Sequence, residues 1–242
     1  MTTISSLQAH VSPAHVAATR AAWHRVAEHV LAAARYAATA HIGLAPAPDG
    51  FRTPPFGADG AYLAVDGTDL VVGDVAGARR RPLTTIRAAA SFAGITAGAP
   101  AQVYRPATPL DLDQPLLIDP GAARLLAGWY GLGAQGRSRF AADIPDEQPS
   151  APVLWPEHFD LGITAGAVNY GASPGDGYCP VPCLYASPHD GRPPGDQAFW
   201  NAPFGAIRRI EQIGTAAEAA AFFRTARARL QAAPASHPGR MS

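Results

Sequence analysis

The period of the hydrophobic pattern changes several times along the chain, and each change marks an element. Trp23, Val26, Val30 and Ala34 recur at helical spacing, which predicts a long amphipathic helix running to about Ala38. Ser12-Pro13 is a strong start for it, because the serine can take an amide hydrogen and proline lacks only an N–H that the first turn would leave unpaired. His41-Ile-Gly-Leu44 reads as a short strand, and the Pro- and Gly-rich stretch 46–60 as a loop. Residues 61–65 and 70–73 flank Asp66-Gly67, a hairpin turn signal. Arg79-Arg80-Arg81 reads as a solvated charge cluster, and Thr84 or Thr85 as the cap of a short helix through Phe92. Residues 94–119 are irregular, and Asp119-Pro120 then opens a helix that buries Leu125, Leu126 and Trp129.

From residue 158 the period becomes two. Phe159, Leu161 and Ile163 fall on one face, and His158, Asp160, Gly162 and Thr164 on the other, which predicts a half-buried strand. Ala165-Gly166 is the predicted tight turn, with 168–171 returning as the antiparallel partner. Ser173-Pro174-Gly175-Asp176 is a second turn, with Gly175 where φ must be positive. After a loop-rich segment, 177–203, the last helix starts at Thr215 with Glu218 three residues on, a capping box. It is predicted to bury Ala219, Phe222, Phe223, Ala226 and Leu230, and the tail after Ala233 is expected to be disordered. The polar stretch 143–152 is the best boundary, giving one domain in two halves, 12–142 and 151–233. Both halves read as helix plus short hairpin strands, so the expected class is α+β, antiparallel sheets packed with about four helices. An echo between His41-Ile-Gly-Leu44 and His158-Phe-Asp-Leu161 hints at duplication.

Composition narrows the chemistry. Of 242 residues, 48% are hydrophobic and 16% charged, enough to bury a substantial core. The formal net charge is zero, which gives no electrostatic reason to expect nucleic acid as a partner. No apolar run is long enough to span a membrane, and residues 1–10 lack the pattern of a signal peptide, so a cytoplasmic location is expected. All 19 basic residues besides histidine are arginine. A chain without lysine has no Schiff-base lysine, no Ser-Lys dyad and no phosphate-loop lysine.

Three strings suggest a family: Arg35-Tyr-Ala-Ala-Thr-Ala-His-Ile-Gly-Leu44, Leu154-Trp-Pro-Glu-His-Phe-Asp-Leu161 and Asn169-Tyr-Gly-Ala-Ser-Pro-Gly-Asp176. They resemble those of uncharacterised actinobacterial proteins. Residues 155–185 are also similar to the C-terminal part of a broader domain family of unknown function. The resemblance implies no activity. Cys179 and Cys183 depart from its pattern, where a His and an aromatic residue are expected, so a role for them would be particular to this chain.

The candidate site is the 155–189 hairpin. His158 and Asp160 form a candidate acid–base pair, with His158 as base and Asp160 orienting it. Trp155, Asn169, Tyr170, Asp176 and Tyr185 are candidate binding residues for a small-molecule ligand. An alternative adds His189 to His158 and Asp160 as a two-His-one-carboxylate metal site, and another makes the hairpin a structural or interaction module. Gly171-Ala-Ser173-Pro-Gly175 matches a nucleophile elbow formally, but Pro174 lacks the oxyanion N–H, so it reads as a turn. Cys179 and Cys183 are too few for a structural zinc site and read as ordinary thiols. His24 and Glu28, four apart on the first helix, read as a solvated surface pair. Whether the chain is an enzyme, which cofactor it takes and its oligomeric state are not legible at this level.

Overall fold

The computed structural model describes residues 4, 8 and 10–232. The expected disordered tail, 233–242, lies outside the described residues. The first helix is a continuous rod with a change of winding in the middle: α1 (Pro13–Val26), a π-helical turn (Ala27–Ala32) and α2 (Ala33–Thr39). Ser12 caps it, its Oγ accepting from the His15 N–H at 3.2 Å. An antiparallel meander follows: β1 (Ala45–Ala47), β2 (Gly50–Arg52), β3 (Tyr62–Asp66), β4 (Asp69–Gly73) and β5 (Ala78–Pro82). Then comes α3 (Ile86–Ala93), capped by Thr85, whose Oγ1 accepts from the Ala88 N–H. The irregular 94–119 connection leads to α4 (Pro120–Ala142), capped by Asp119.

The second half repeats the plan. Strands β6 (Val153–Trp155), β7 (Asp160–Ala165), β8 (Val168–Ser173), β9 (Cys183–Pro188) and β10 (Ala206–Arg209) form another five-stranded antiparallel meander, and α5 (Ala216–Ala232) closes the fold. Thr215 and Glu218 form the predicted capping box: each side chain accepts from the other's backbone N–H. The class is α+β, with two antiparallel sheets and the helices packed on them. Among the described residues no helix is long and apolar enough to cross a membrane.

Two sequence expectations need correction. His41-Ile-Gly-Leu44 is not a strand; only Leu44 pairs, exchanging both backbone hydrogen bonds with Leu154 at 2.8 and 2.9 Å. This bridge joins the edges of the two sheets, and each meander runs away from it. The structural counterpart of Leu44 is therefore Leu154 at the head of the second meander, not Leu161. The loop expected over 46–60 contains β1 and β2. Arg79-Arg80-Arg81 is solvent-exposed as expected, and it forms most of β5, an edge strand whose charges discourage pairing with another chain.

Helix α4 packs against β1 and β2 of one sheet and β7 and β8 of the other, so the junction lies over a shared core. Trp23, Trp129, Tyr130, Phe51, Phe140 and Phe223 are fully buried there. Their polar atoms are used: Trp129 Nε1 donates to the Ser173 carbonyl at 2.8 Å, and the Tyr130 hydroxyl to the Phe159 carbonyl at 2.7 Å.

Candidate functional site

The site is organised by the turn between β6 and β7. Trp155 pairs with Asp160, and the four residues between them close on a 2.7 Å bond from the Phe159 N–H to the Trp155 carbonyl. Phe159 has φ +53°, a left-handed conformation that costs a bulky residue about 1–3 kcal/mol. Packing holds it there. Its ring is 1% exposed, edge-on to Phe51 and Tyr130 at 5.2 and 5.8 Å and stacked on His24 at 5.1 Å. The expected alternation therefore breaks at Phe159. Asp160 begins the strand, and His158 sits exposed in the turn rather than on the strand face.

His158 and Asp160 both line an open cleft of about 320 Å³ on the sheet face turned away from the helices, with Trp155, Glu157, Thr164, Asn169 and Tyr185. No hydrogen bond joins the two; Asp160 is held instead by the Tyr185 hydroxyl, which donates to Oδ2. The orientation of His158 by Asp160 is thus not formed. Asp160 Oδ1 is buried without a partner. Burial pushes this carboxyl up from its ordinary range, opposed by the Tyr185 hydrogen bond and by His158. Tyr185 is pushed well up by burial and by the neighbouring Asp160 charge. Its ring lies across Gly171, where a Cβ would overlap the ring, and its hydroxyl is 3.3 Å from where a Cβ on Gly162 would stand. These two bare positions leave the trough that brings Tyr185 to Asp160.

Other expected site residues go elsewhere. Tyr170 is 1% exposed on the helix-facing side, packed between Phe140 and Phe223. Strand alternation puts it on the opposite face from Asn169, which does line the cleft and accepts from Thr164 Oγ1 at 2.7 Å. Asp176 is a turn residue: its Oδ1 accepts from the Tyr178 and Cys179 N–H groups at 2.8 and 2.7 Å. His189 meets Asn169, four strand positions from the Asp160 row, about 13 Å along the strand. The three proposed metal ligands do not converge, and among the described residues no group of three His, Cys, Asp or Glu is arranged to hold a metal ion. Ser173 Oγ accepts from the Gly175 N–H, and Gly175 has φ +99°, the turn expected from the sequence. Cys179 and Cys183 are buried free thiols, and burial, with Cys179 beside it, pushes the Cys183 thiol far up, into an unreactive state.

The largest correction concerns His24 and Glu28, which are not a surface pair. Glu28 is 0% exposed and accepts from the Ala107 and Thr108 N–H groups and the Thr108 hydroxyl at 2.9, 2.8 and 2.6 Å. His24 Nε2 lies 3.8 Å from the Glu28 carboxylate and 2.8 Å from the Pro156 carbonyl, to which it donates. Burial lowers the His24 pKa, with Glu28 opposing. His29 Nδ1 accepts from the Ala99 N–H, so Nε2 carries the proton toward the Thr108 carbonyl. The π-helical turn thus pins the 94–119 connection beside the β6–β7 turn. The one signal in the sequence is the run Val26-Ala-Glu-His-Val-Leu-Ala32, in which a carboxylate interrupts an apolar stretch.

No protein-family model matches the chain, and no curated protein or solved structure shows significant similarity to it.

Proposed function

We propose that this protein binds a small polar molecule in the outer-face cleft and that Asp160 is its anchor. The observation that carries this reading is the Asp160 carboxyl: one oxygen takes the Tyr185 hydroxyl, while the other is buried beneath the cleft with no partner. Buried acceptors left unpaired are costly and uncommon, and a ligand hydroxyl or amine on the cleft floor supplies the missing donor. Burial favours the protonated form of the Asp160 carboxyl, and the imidazole of His158 stands at the rim of the same cleft. Acid–base chemistry on the bound molecule is the reaction this pair supports.

The test is a fragment screen by ligand-observed NMR with small polyols, amino alcohols and amides. Asp160→Asn is expected to weaken the hits about tenfold or more, and Tyr185→Phe by a smaller factor. A screen with no hits, or hits indifferent to Asp160→Asn, overturns the reading in favour of a non-catalytic structural module.

A further inference from the structure

A second cleft, of about 550 Å³, opens where the two meanders meet, and both halves build it. Arg35 comes from α2, Tyr104 from the 94–119 connection, and Trp155 and Glu157 from the β6–β7 turn. Three polar groups here lack a protein partner. Glu157 Oε2 and the Tyr104 hydroxyl are buried and unpaired. The half-buried Arg35 guanidinium makes no hydrogen bond or ion pair among the described residues, and burial alone shifts its pKa, downward. Native proteins leave only a few buried polar atoms per hundred residues unsatisfied, so their convergence on one cleft calls for a ligand.

The charges say what kind. One guanidinium and one carboxyl, not paired with each other, the first without a hydrogen bond and the second with Oε2 unpaired, are satisfied together only by a molecule with an anionic and a cationic end. A monocation or monoanion leaves one of them without a partner. The remaining wall is largely apolar, including Val103, Val153 and Trp155. Gly43 keeps the Arg35 side open: a Cβ there would stand 2.7 Å from Val153 Cγ1 and 3.7 Å from Arg35 Nη1.

We propose that the junction cleft binds a small zwitterion of the amino-acid type, its carboxylate on Arg35, its ammonium on Glu157 and the Tyr104 oxygen, and its apolar body against Val153 and Trp155. The site opens on the other side of the β6–β7 turn from the Asp160 pocket, although Ala151, Val153, Trp155 and Glu157 border both clefts.

Isothermal titration of the full-length protein with L-leucine, L-phenylalanine and 6-aminohexanoate tests it, alongside the single-charge analogues 4-methylpentanoate and phenethylamine. At least one zwitterion is expected to bind, with the analogues about tenfold weaker or more. Arg35→Gln and Glu157→Gln are each expected to weaken that zwitterion about tenfold, and Tyr104→Phe a fewfold, with circular dichroism confirming that each variant is folded. Asp190→Asn, on an exposed loop, serves as the control. The proposal is overturned if none of the three zwitterions binds below about 10 mM, if the analogues bind as well, or if the binding-site variants bind like the control. Fragments that depend on Asp160 report on the other cleft, so either reading can fail alone.

Discussion

Both meanders lay a tyrosine ring across a glycine on a neighbouring strand, on the face turned away from the helices. In the first sheet Tyr62 covers Gly73, where a Cβ would stand 2.6 Å from the ring. In the second Tyr185 covers Gly171. The packing device is the same and the electrostatics differ. Tyr62 carries the Arg52 guanidinium over its ring at 4.3 Å, and the nearby Asp66 and Asp69 both pair with Arg80. Tyr185 turns its hydroxyl to Asp160, whose other oxygen is buried without a hydrogen-bond partner. The first sheet completes its polar groups with its own arginines, and the second leaves one incomplete. The turns that open the sheets differ in the same sense. Two residues link β1 to β2, whereas four link β6 to β7, and those four project Glu157 and His158 between two clefts.

The strongest test of this contrast is in the two turns. Phe159→Ala removes a buried ring with three aromatic neighbours and is expected to cost about 3–5 kcal/mol in urea unfolding. Asp49→Ala, in the exposed turn of the first sheet, is expected to stay within about 0.5 kcal/mol. Equal losses would mean that the two turns are not organised differently. A smaller effect compares the two glycines. Gly171→Ala is expected to cost about 1–3 kcal/mol, because Tyr185 must leave Asp160 to make room. Gly73→Ala is expected to cost less, since no hydrogen bond fixes the Tyr62 hydroxyl among the described residues. If Gly73→Ala is the more damaging, the anchoring role of Asp160 is wrong.

The smallest effect is one of pH. The native Asp160 pKa is raised above that of the unfolded chain. Below the ordinary carboxyl range both states hold the proton and burial costs nothing; as pH rises through that range to the native value, the unfolded state ionises first and stability falls. Asp160→Asn escapes this loss. Its melting temperature is therefore expected to gain on the wild type as pH rises from acid to neutral, and the gain to vanish in acid. His24 and His29, whose pKa values burial lowers, act in the opposite sense but cancel in the difference between the two proteins. A difference that is flat with pH would show that Asp160 ionises freely.

What was legible in the sequence was local. Ser12, Thr85, Asp119 and Thr215 cap their helices because a cap depends on the side chain and the two or three amides after it. Gly175 marks its turn for a similar reason. The alternation expected over 158–164 holds within β7, from Asp160 onward, but it does not settle which residues reach a site. Tyr170 and Asn169 were both candidates, and only the position of α4 and α5 decided that the tyrosine is core.

The sequence by itself determined the class, the caps, the strand period and the exclusion of lysine chemistry, since each rests on neighbours within a few residues or on composition. Only the tertiary structure decided where the candidate chemistry lies. Phe159 takes a left-handed backbone because Phe51, Tyr130 and His24 surround its ring. Glu28 is buried because residues 107 and 108, far along the chain, bring it three donors. Asp160 has Tyr185 rather than His158 because two glycines on adjacent strands make room for the ring. These are contacts between distant residues, and they outweigh local preference because the energies of burial and of unpaired polar groups exceed those of backbone propensity.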